Sequence, residues 1–481
     1  MKIDIRLRIL EKPGRIDNCI DQYTIPRAGP ALYQVCIADN IYIVYDHILT
    51  DSKYVEDILK LEEELYDTIV GETPLAEKIS KINDPRLRHI VERQFIGYGV
   101  LEPFLMDPDV VNVHVMSNKP IQIIHRVYDR LQTSIVPTIE EVEELAMRLA
   151  SSAGKPLSES LPLVSFIEPR YEARVTVVYR SDVTMRRNVT VDVRKLPENP
   201  WTLLKLINLG SLSIEEAAFL WLMVKYRVPI VIVGELLTGK TTLATTLLAL
   251  VPPGSRVMTA EDTPEFRIPV TYWTRTTTRE FGEYKVTYFD LLKIGVRLSL
   301  DYIIVGEIRG EEAREWAHSI LLGHGAITTF HAESPESALL RLISPPISVD
   351  PQVIKFLNVF VKTNVVEREV GKRVYRHEVY IIEENRSIPL FIYDPESDKI
   401  IRNPEIENPI IAFKFIDRII LAHKVTRPRL YREYKAMEEV IKETYREAHQ
   451  IDPTLNIPTF SEIPKILYEK LESKLVGTSA R

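Results

Sequence analysis

The chain has 481 residues, too many for one compact core, so two or three domains are expected. Hydrophobic residues at 45% and charged residues at 27% are ordinary for a soluble globular protein. A formal net charge of −7 argues against a protein whose main task is coating nucleic acid, while leaving room for a local basic channel.

Cys19 and Cys36 are the only cysteines, too few for a four-ligand zinc site and without a CxxC pair. They could form one disulfide. The opening residues Met1-Lys-Ile-Asp-Ile-Arg lack the apolar core of a signal peptide, so the expectation is two reduced thiols in a cytoplasmic protein. No window reaches the roughly 20 apolar residues that span a bilayer. The most apolar stretch, Ala217 to Val233, is broken by Lys225 and Arg227. Membrane contact is therefore expected only through a partner.

In chain order, residues 1–90 carry a strand-like run, Ile41-Tyr-Ile-Val-Tyr, and an acidic helical pattern around Glu56 to Tyr66, and read as an N-terminal adaptor segment. Residues 91–196 alternate β-like runs (Val110-Val-Asn-Val-His-Val, Ile121-Gln-Ile-Ile, Arg174-Val-Thr-Val-Val) around a helix over Glu140 to Ala153, and predict an α+β domain. Pro197 and Pro200 mark a linker over 197–212, and a helix follows from about Ser213 to Tyr226. Residues 213–380 read as the core domain, and within them residues 228–345 switch to strand–helix alternation, the pattern of a parallel sheet with flanking crossover helices. Residues 381–481 read as a charged, partly helical extension, with a long helix over Arg432 to Ala448.

Gly234-Glu-Leu-Leu-Thr-Gly-Lys-Thr fits G-x-x-x-x-G-K-[ST]. It follows the β-branched run Pro229-Ile-Val-Ile-Val and opens a helical pattern with Leu243, Leu247 and Leu248 inward, which is the context the motif requires. Gly234, Thr238, Gly239, Lys240, Thr241 and Thr242 are the candidates for holding ATP. Backbone N–H groups cradle phosphate oxygens, Lys240 supplies charge to the β/γ-phosphates, and the Thr241 hydroxyl ligates Mg²⁺. Leu236 and Leu237 are bulky for such a loop.

Three further β-like runs end in residues suited to phosphate or metal chemistry. Arg256-Val-Met-Thr-Ala leads to Glu261 and Asp262, Tyr302-Ile-Ile-Val to Gly306 and Glu307, and Ala326-Ile-Thr-Thr-Phe to His331. In an open parallel sheet ligands bind at the carboxyl ends of the strands. Glu307 and Glu261 are the candidate carboxylates for Mg²⁺ and the attacking water, Glu307 being also the second metal residue, and His331 is the candidate γ-phosphate sensor. Asp301 starts the strand that Glu307 ends, about 20 Å away, and reads as a strand-start residue. His324 lines the same cleft or sits in a turn. Among Arg267, Arg275, Arg279, Arg297 and Arg309, the candidates for neutralising transition-state charge are Arg279 and Arg297, with supply in trans a known device.

These motifs resemble the ATPases of type II secretion, type IV pilus and archaellum systems, especially their archaeal branch. Glu261-Asp-Thr-Pro-Glu-Phe is similar to the family's acidic box. Asp301-Tyr-Ile-Ile-Val-Gly-Glu-Ile-Arg-Gly is similar to its atypical Walker B, in which Gly replaces the usual Asp before the catalytic Glu. Gly323-His-Gly-Ala-Ile-Thr-Thr-Phe-His-Ala is similar to its histidine box. Gly97-Tyr-Gly-Val-Leu-Glu-Pro-Phe-Leu-Met-Asp-Pro and Ser152-Ala-Gly-Lys-Pro-Leu-Ser-Glu resemble its N-terminal domain. The resemblance implies an N-terminal domain hinged to a recombinase-like ATPase core, a ring of six copies, ATP bound between the two domains, and docking onto a polytopic membrane platform protein to drive a pilus-like filament. Arg297-Leu-Ser-Leu-Asp301 departs from the usual Arg-x-Arg-Pro-Asp, and the tetracysteine zinc module of bacterial type II members is absent. Two alternatives share the core. One is a nucleic-acid translocase, which the acidic balance disfavours. The other is an ATP-binding regulator without rapid hydrolysis.

Overall fold

The computed structural model describes residues 19–26, 31–46, 60–61, 75–182, 188–196, 200–236, 238–279, 285–367, 373–384, 386–455 and 460–479. Most of the acidic pattern at Glu56 to Tyr66, the Pro197–Asn199 part of the linker, and Leu237 lie outside them. The chain divides into two units, Met1–Pro197 and Glu198–Arg481.

The first unit is one sheet with the strand order β1-β2-β3-β6-β5-β4-β9-β8-β7. Its strands are β1 (Asp21–Ile25), β2 (Tyr33–Ala38), β3 (Ile41–Asp46), β4 (Val110–Met116), β5 (Gln122–His125), β6 (Asp129–Thr133), β7 (Leu163–Glu168), β8 (Ala173–Val178) and β9 (Thr190–Arg194). Period-two alternation fixes the buried face: Ala173, Val175 and Val177 point inward on β8, with polar neighbours outward. The helix Ile139–Ser152, started by a Thr138/Glu141 capping box, lays Val142, Leu145, Ala146 and Leu149 into the same core. The sequence reading divides the chain near residue 90, yet hydrogen bonding does not break there. β3 pairs with β6, and the hydroxyls of Tyr23 and Tyr42 both donate to the buried carboxylate of Asp107, at 2.6 and 2.7 Å.

The expected reduced thiols are corrected: Cys19 and Cys36 form a disulfide. The cause is the register of an antiparallel pair. Ile20 N–H donates to Ile37 O at 2.7 Å and Gln22 faces Cys36, which leaves the two cysteines with Cα atoms 5.6 Å apart.

The second unit carries the other sheet, ordered β12-β11-β13-β14-β10-β15-β16-β17-β18. Its strands are β10 (Ile230–Gly234), β11 (Arg256–Glu261), β12 (Tyr272–Thr277), β13 (Tyr302–Ile308), β14 (Ile327–His331), β15 (Val359–Glu367), β16 (Arg373–Glu383), β17 (Arg386–Asp394) and β18 (Lys399–Arg402). β12 through β15 run parallel, and β15 through β18 form an antiparallel meander. The strands expected before Glu261, Glu307, His331 and the glycine-rich loop are β11, β13, β14 and β10. β12 and the meander lack a matching expectation. Their half-exposed faces mix Thr, Arg, Tyr and Glu with the apolar residues, which blurs the alternation.

The helix Ile214–Lys225 is buried on every side from Glu216 to Val224. It packs with the sheet residues Ile230, Ile232, Val361 and Val379 and with Leu430, Tyr434, Met437 and Ile441 of the helix Arg427–Ile451, all in one core. A helix apolar all round needs such cover on both faces. Residues beyond 380 therefore share the core of the phosphate-loop sheet. Among the described residues, no helix is long and apolar enough to cross a membrane.

Candidate active site

All strands from β12 to β15 are parallel, so the carboxyl ends of β10, β11, β13 and β14 meet along one edge. Register makes this concrete: Gly234 lies opposite His331, and Glu307 opposite Thr329. β10 leads through the loop into the helix Lys240–Leu248. Gly239 forms the N-cap with φ +88°, a conformation glycine adopts without strain, and no side chain caps the helix. The first N–H groups of that helix have no intrahelical acceptor and are suited to an anion. Gly234 is also required by space: a Cβ there would stand 2.2 Å from Thr363 Oγ1 and 2.7 Å from Thr238 Oγ1.

Lys240 is buried, and its ammonium is fully engaged. It donates to Gly234 O (3.0 Å) and Glu235 O (2.5 Å) and lies 3.3 Å from His331 Nδ1. Burial lowers its pKa, against the pull of Glu307, Glu235 and Glu265. His331 is likewise held toward the neutral form, first by burial and then by the Lys240 charge, with Glu307 opposing. A neutral imidazole accepting from Lys240 at Nδ1 carries its proton on Nε2, which faces Glu307 Oε1 at 2.7 Å. That contact is short but not aligned as a hydrogen bond, so it is electrostatic. The other Glu307 oxygen receives Arg309 Nη2 at 2.5 Å, and Arg309 Nη1 reaches Asp262 Oδ2 at 3.3 Å.

Glu307 is aimed by a break in its strand. The β13–β14 register slips between Val305 and Glu307, and the Thr329 hydroxyl bonds Gly306 O at 2.8 Å. Glu261, at the end of β11, is buried. Its Oε1 accepts the N–H groups of Glu265 (2.6 Å) and Phe266 (2.9 Å), while Oε2 stands 3.8 Å from Arg275 Nε. Burial pushes its pKa up to about 7, with those N–H donors and Arg275 opposing.

Glu265 is the acid that sequence reasoning left out of the site. Its Oε2 accepts the Thr241 hydroxyl at 3.2 Å. It stands in the quoted acidic box, four residues beyond Glu261, where the loop returns over the phosphate helix; that reversal is tertiary. Thr242 lies in the first turn of the same helix, and its carbonyl accepts the Thr246 hydroxyl at 2.9 Å. Thr238 bonds Glu235 O (2.9 Å) and Thr363 Oγ1 (2.7 Å) and so braces the loop.

The two selected arginines are not brought into this cluster. Arg297 is exposed and precedes Asp301, whose N–H bonds Arg256 O at the start of β11, so it sits at the amino edge of the sheet. Arg279 is exposed in a two-bond bridge with Val286 beyond β12. Asp301 is a strand-start residue, accepting Arg256 N–H at 2.8 Å and pairing with Arg227. His324 sits in the turn before β14, with Nδ1 at 3.0 Å from Ser319 O.

The donors present fit a nucleotide with Mg²⁺. An uncapped helix N-terminus with a buried lysine suits phosphate, and Thr241 with Glu265 offers hard oxygen ligands. Among the described residues no cluster of three or more acidic, His or Cys side chains forms a metal cage of its own.

Fold and site define a P-loop protein whose phosphate loop, two carboxylate-bearing strands and histidine strand share one sheet edge. Residues 99–361 match the family described as Type II/IV secretion system protein, and the chain belongs to that family. It is 35% identical over 305 residues to an uncharacterized protein of Methanocaldococcus jannaschii, covering 60% of this chain and 55% of the relative. The chain thus spans about half the length of that relative. It is 29% identical over 272 residues to the type IV secretion system protein VirB11 of Brucella suis, covering 50% of this chain and 74% of the relative. Among solved structures, the Brucella suis VirB11 ATPase in complex with sulphate is 24% identical, covering 58% of this chain and 92% of that one, with a TM-score of 0.30. The pilus retraction motor PilT with bound ADP is 19% identical, covering 60% and 83%, with a TM-score of 0.46.

Proposed function

We propose that this protein is the motor ATPase of a secretion or pilus-like filament system. It hydrolyses ATP as a ring of six copies, in the cytoplasm, and works on a polytopic membrane platform protein. The observation that supports this reading most is the contact chain Lys240–His331–Glu307–Arg309 at the carboxyl edge of the parallel sheet.

In this reading Gly234, Thr238, Gly239, Lys240, Thr241 and Thr242 hold the phosphates, and Thr241 with Glu265 and Glu307 faces Mg²⁺. Bound Mg²⁺ supplies charge neutralisation at the phosphates. Glu307 orients the attacking water. His331, touching both Lys240 and Glu307, reports to the carboxylate whether Lys240 is engaged. Lys240 must exchange its carbonyl acceptors for phosphate, so binding and loop rearrangement are coupled. Glu261 holds the turn that carries Glu265. Arg279 and Arg297 act on a neighbouring copy.

The test is nucleotide affinity and phosphate release with purified protein. Lys240→Ala is expected to lose ATP binding while keeping its fold, and wild-type turnover by this variant would refute the phosphate-loop assignment. Glu307→Gln is expected to bind ATP and turn over at least about a hundredfold more slowly. Severe loss in Glu261→Gln with near-normal Glu307→Gln would reverse the two roles.

A further inference from the structure

Tyr375, on β16, and Trp201 make an edge-to-face pair, with ring centroids 6.4 Å apart and planes at 77°. Both are half-buried, whereas the large aromatics that only fill the core of this unit, such as Phe219, Trp221, Trp316 and Phe360, are less than 2% exposed. The pair is placed by one contact with the phosphate loop and one with the helix that follows it. A Cβ at Gly239 would stand 3.5 Å from Tyr375 Cδ1, so the tyrosine ring abuts the last residue of the loop. The Thr246 hydroxyl, one turn further along the phosphate helix, lies 2.8 Å from Trp201 O and 2.9 Å from Thr242 O and shares its proton between them, which fastens the Trp201 backbone beside that helix.

In a phosphate loop the lysine and the following hydroxyl serve the β/γ end of the triphosphate. The α-phosphate, sugar and base must therefore leave along the first turn, past Thr242. Tyr375 stands against Gly239, where that turn begins, and Trp201 packs edge-to-face on Tyr375. We infer that Tyr375 and Trp201 form the seat of the nucleotide base, with the base lying against the Tyr375 ring. The inference rests on the ATP reading above and adds the part of the ligand that the motifs do not address. A π-face accepts any base, so the seat favours nucleotides over bare polyphosphate more than it separates one purine from another.

The test compares ATP with inorganic tripolyphosphate as ligands of the full chain, by calorimetry. Tyr375→Leu is expected to weaken ATP binding about tenfold and leave tripolyphosphate binding unchanged. Tyr375→Phe is expected to retain ATP affinity. Trp201 emission is expected to change on adding ATP but not tripolyphosphate, a signal that Trp201→Phe removes. Equal weakening of both ligands in Tyr375→Leu would mean that the tyrosine only props the loop, and wild-type ATP affinity in that variant would likewise overturn the seat. Lys240→Ala separates the two readings. If it loses both ligands while Tyr375→Leu binds normally, only the base seat fails. If the wild-type chain binds neither ligand, the ATP reading fails with it.

Discussion

A side chain at position 306 would meet Glu261. A Cβ built on Gly306 stands 3.4 Å from Glu261 Cγ, so an aspartate there would set one carboxylate against another that is already buried. This gives the absence of an aspartate before Glu307 a physical reason: a second carboxylate there would add a like charge beside the buried Glu261. Glu261 is also a residue whose titration is coupled to folding. Its pKa rises from 4.5 to about 7, chiefly through burial. Below about pH 4.5 it is protonated in both the folded and unfolded chain and costs nothing. Between about pH 4.5 and 7 the unfolded carboxyl ionises while the folded one, poorly solvated, stays protonated, and stability on the order of 3 kcal/mol is lost by the pH at which the folded group ionises too. Glu261→Gln keeps an acceptor for both N–H donors and removes that loss. The variant's stability relative to wild type is expected to climb between about pH 4.5 and 7 and level off above, as measured by denaturant midpoints. A difference that stays constant with pH would contradict the burial account.

At the scale of elements, the helix Arg427–Ile451 belongs to the phosphate-loop unit. Thr426 caps it, and Leu430, Tyr434, Met437, Val440, Ile441 and Thr444 recur at helical spacing on its buried side. Glu433 ties it to the helix Ile214–Lys225 through Lys225 Nζ at 2.7 Å and the Tyr226 hydroxyl at 2.9 Å. Met437 is fully buried in this seam. Met437→Ala is expected to cost about 2–5 kcal/mol through the cavity it leaves. The loss should fall on the same unfolding transition that ATP stabilises, because one core serves both. Separate transitions, with only the nucleotide-insensitive one shifted, would mean that the extension folds by itself.

At the scale of the whole molecule, the site of one chain is well supplied with cations at Lys240, Arg309 and Arg275, while Arg279 and Arg297 are exposed elsewhere. In the proposed ring these two arginines serve a neighbour. Specific activity is then expected to fall on dilution, as copies separate and sites lose those groups. Constant specific activity across a series that takes the assembly to single chains, followed by light scattering, would contradict shared sites.

The sequence by itself determined the phosphate loop, the four strands that end in Gly234, Glu261, Glu307 and His331, and hence the family. These are local patterns: a β-branched run, then a residue whose chemistry has no use inside a strand. Tertiary structure decided the rest. Glu265 joins the site because a loop turns back over the phosphate helix, and Arg309 rather than Arg297 meets Glu307 because Arg297 precedes its strand while Arg309 follows it. Cys19 and Cys36 meet through a strand register. Tyr375 lies beside Gly239 because an antiparallel strand far along the chain is added next to β15. Each of these contacts joins residues through strand pairing or chain reversal, and no short stretch of sequence encodes which strands become neighbours.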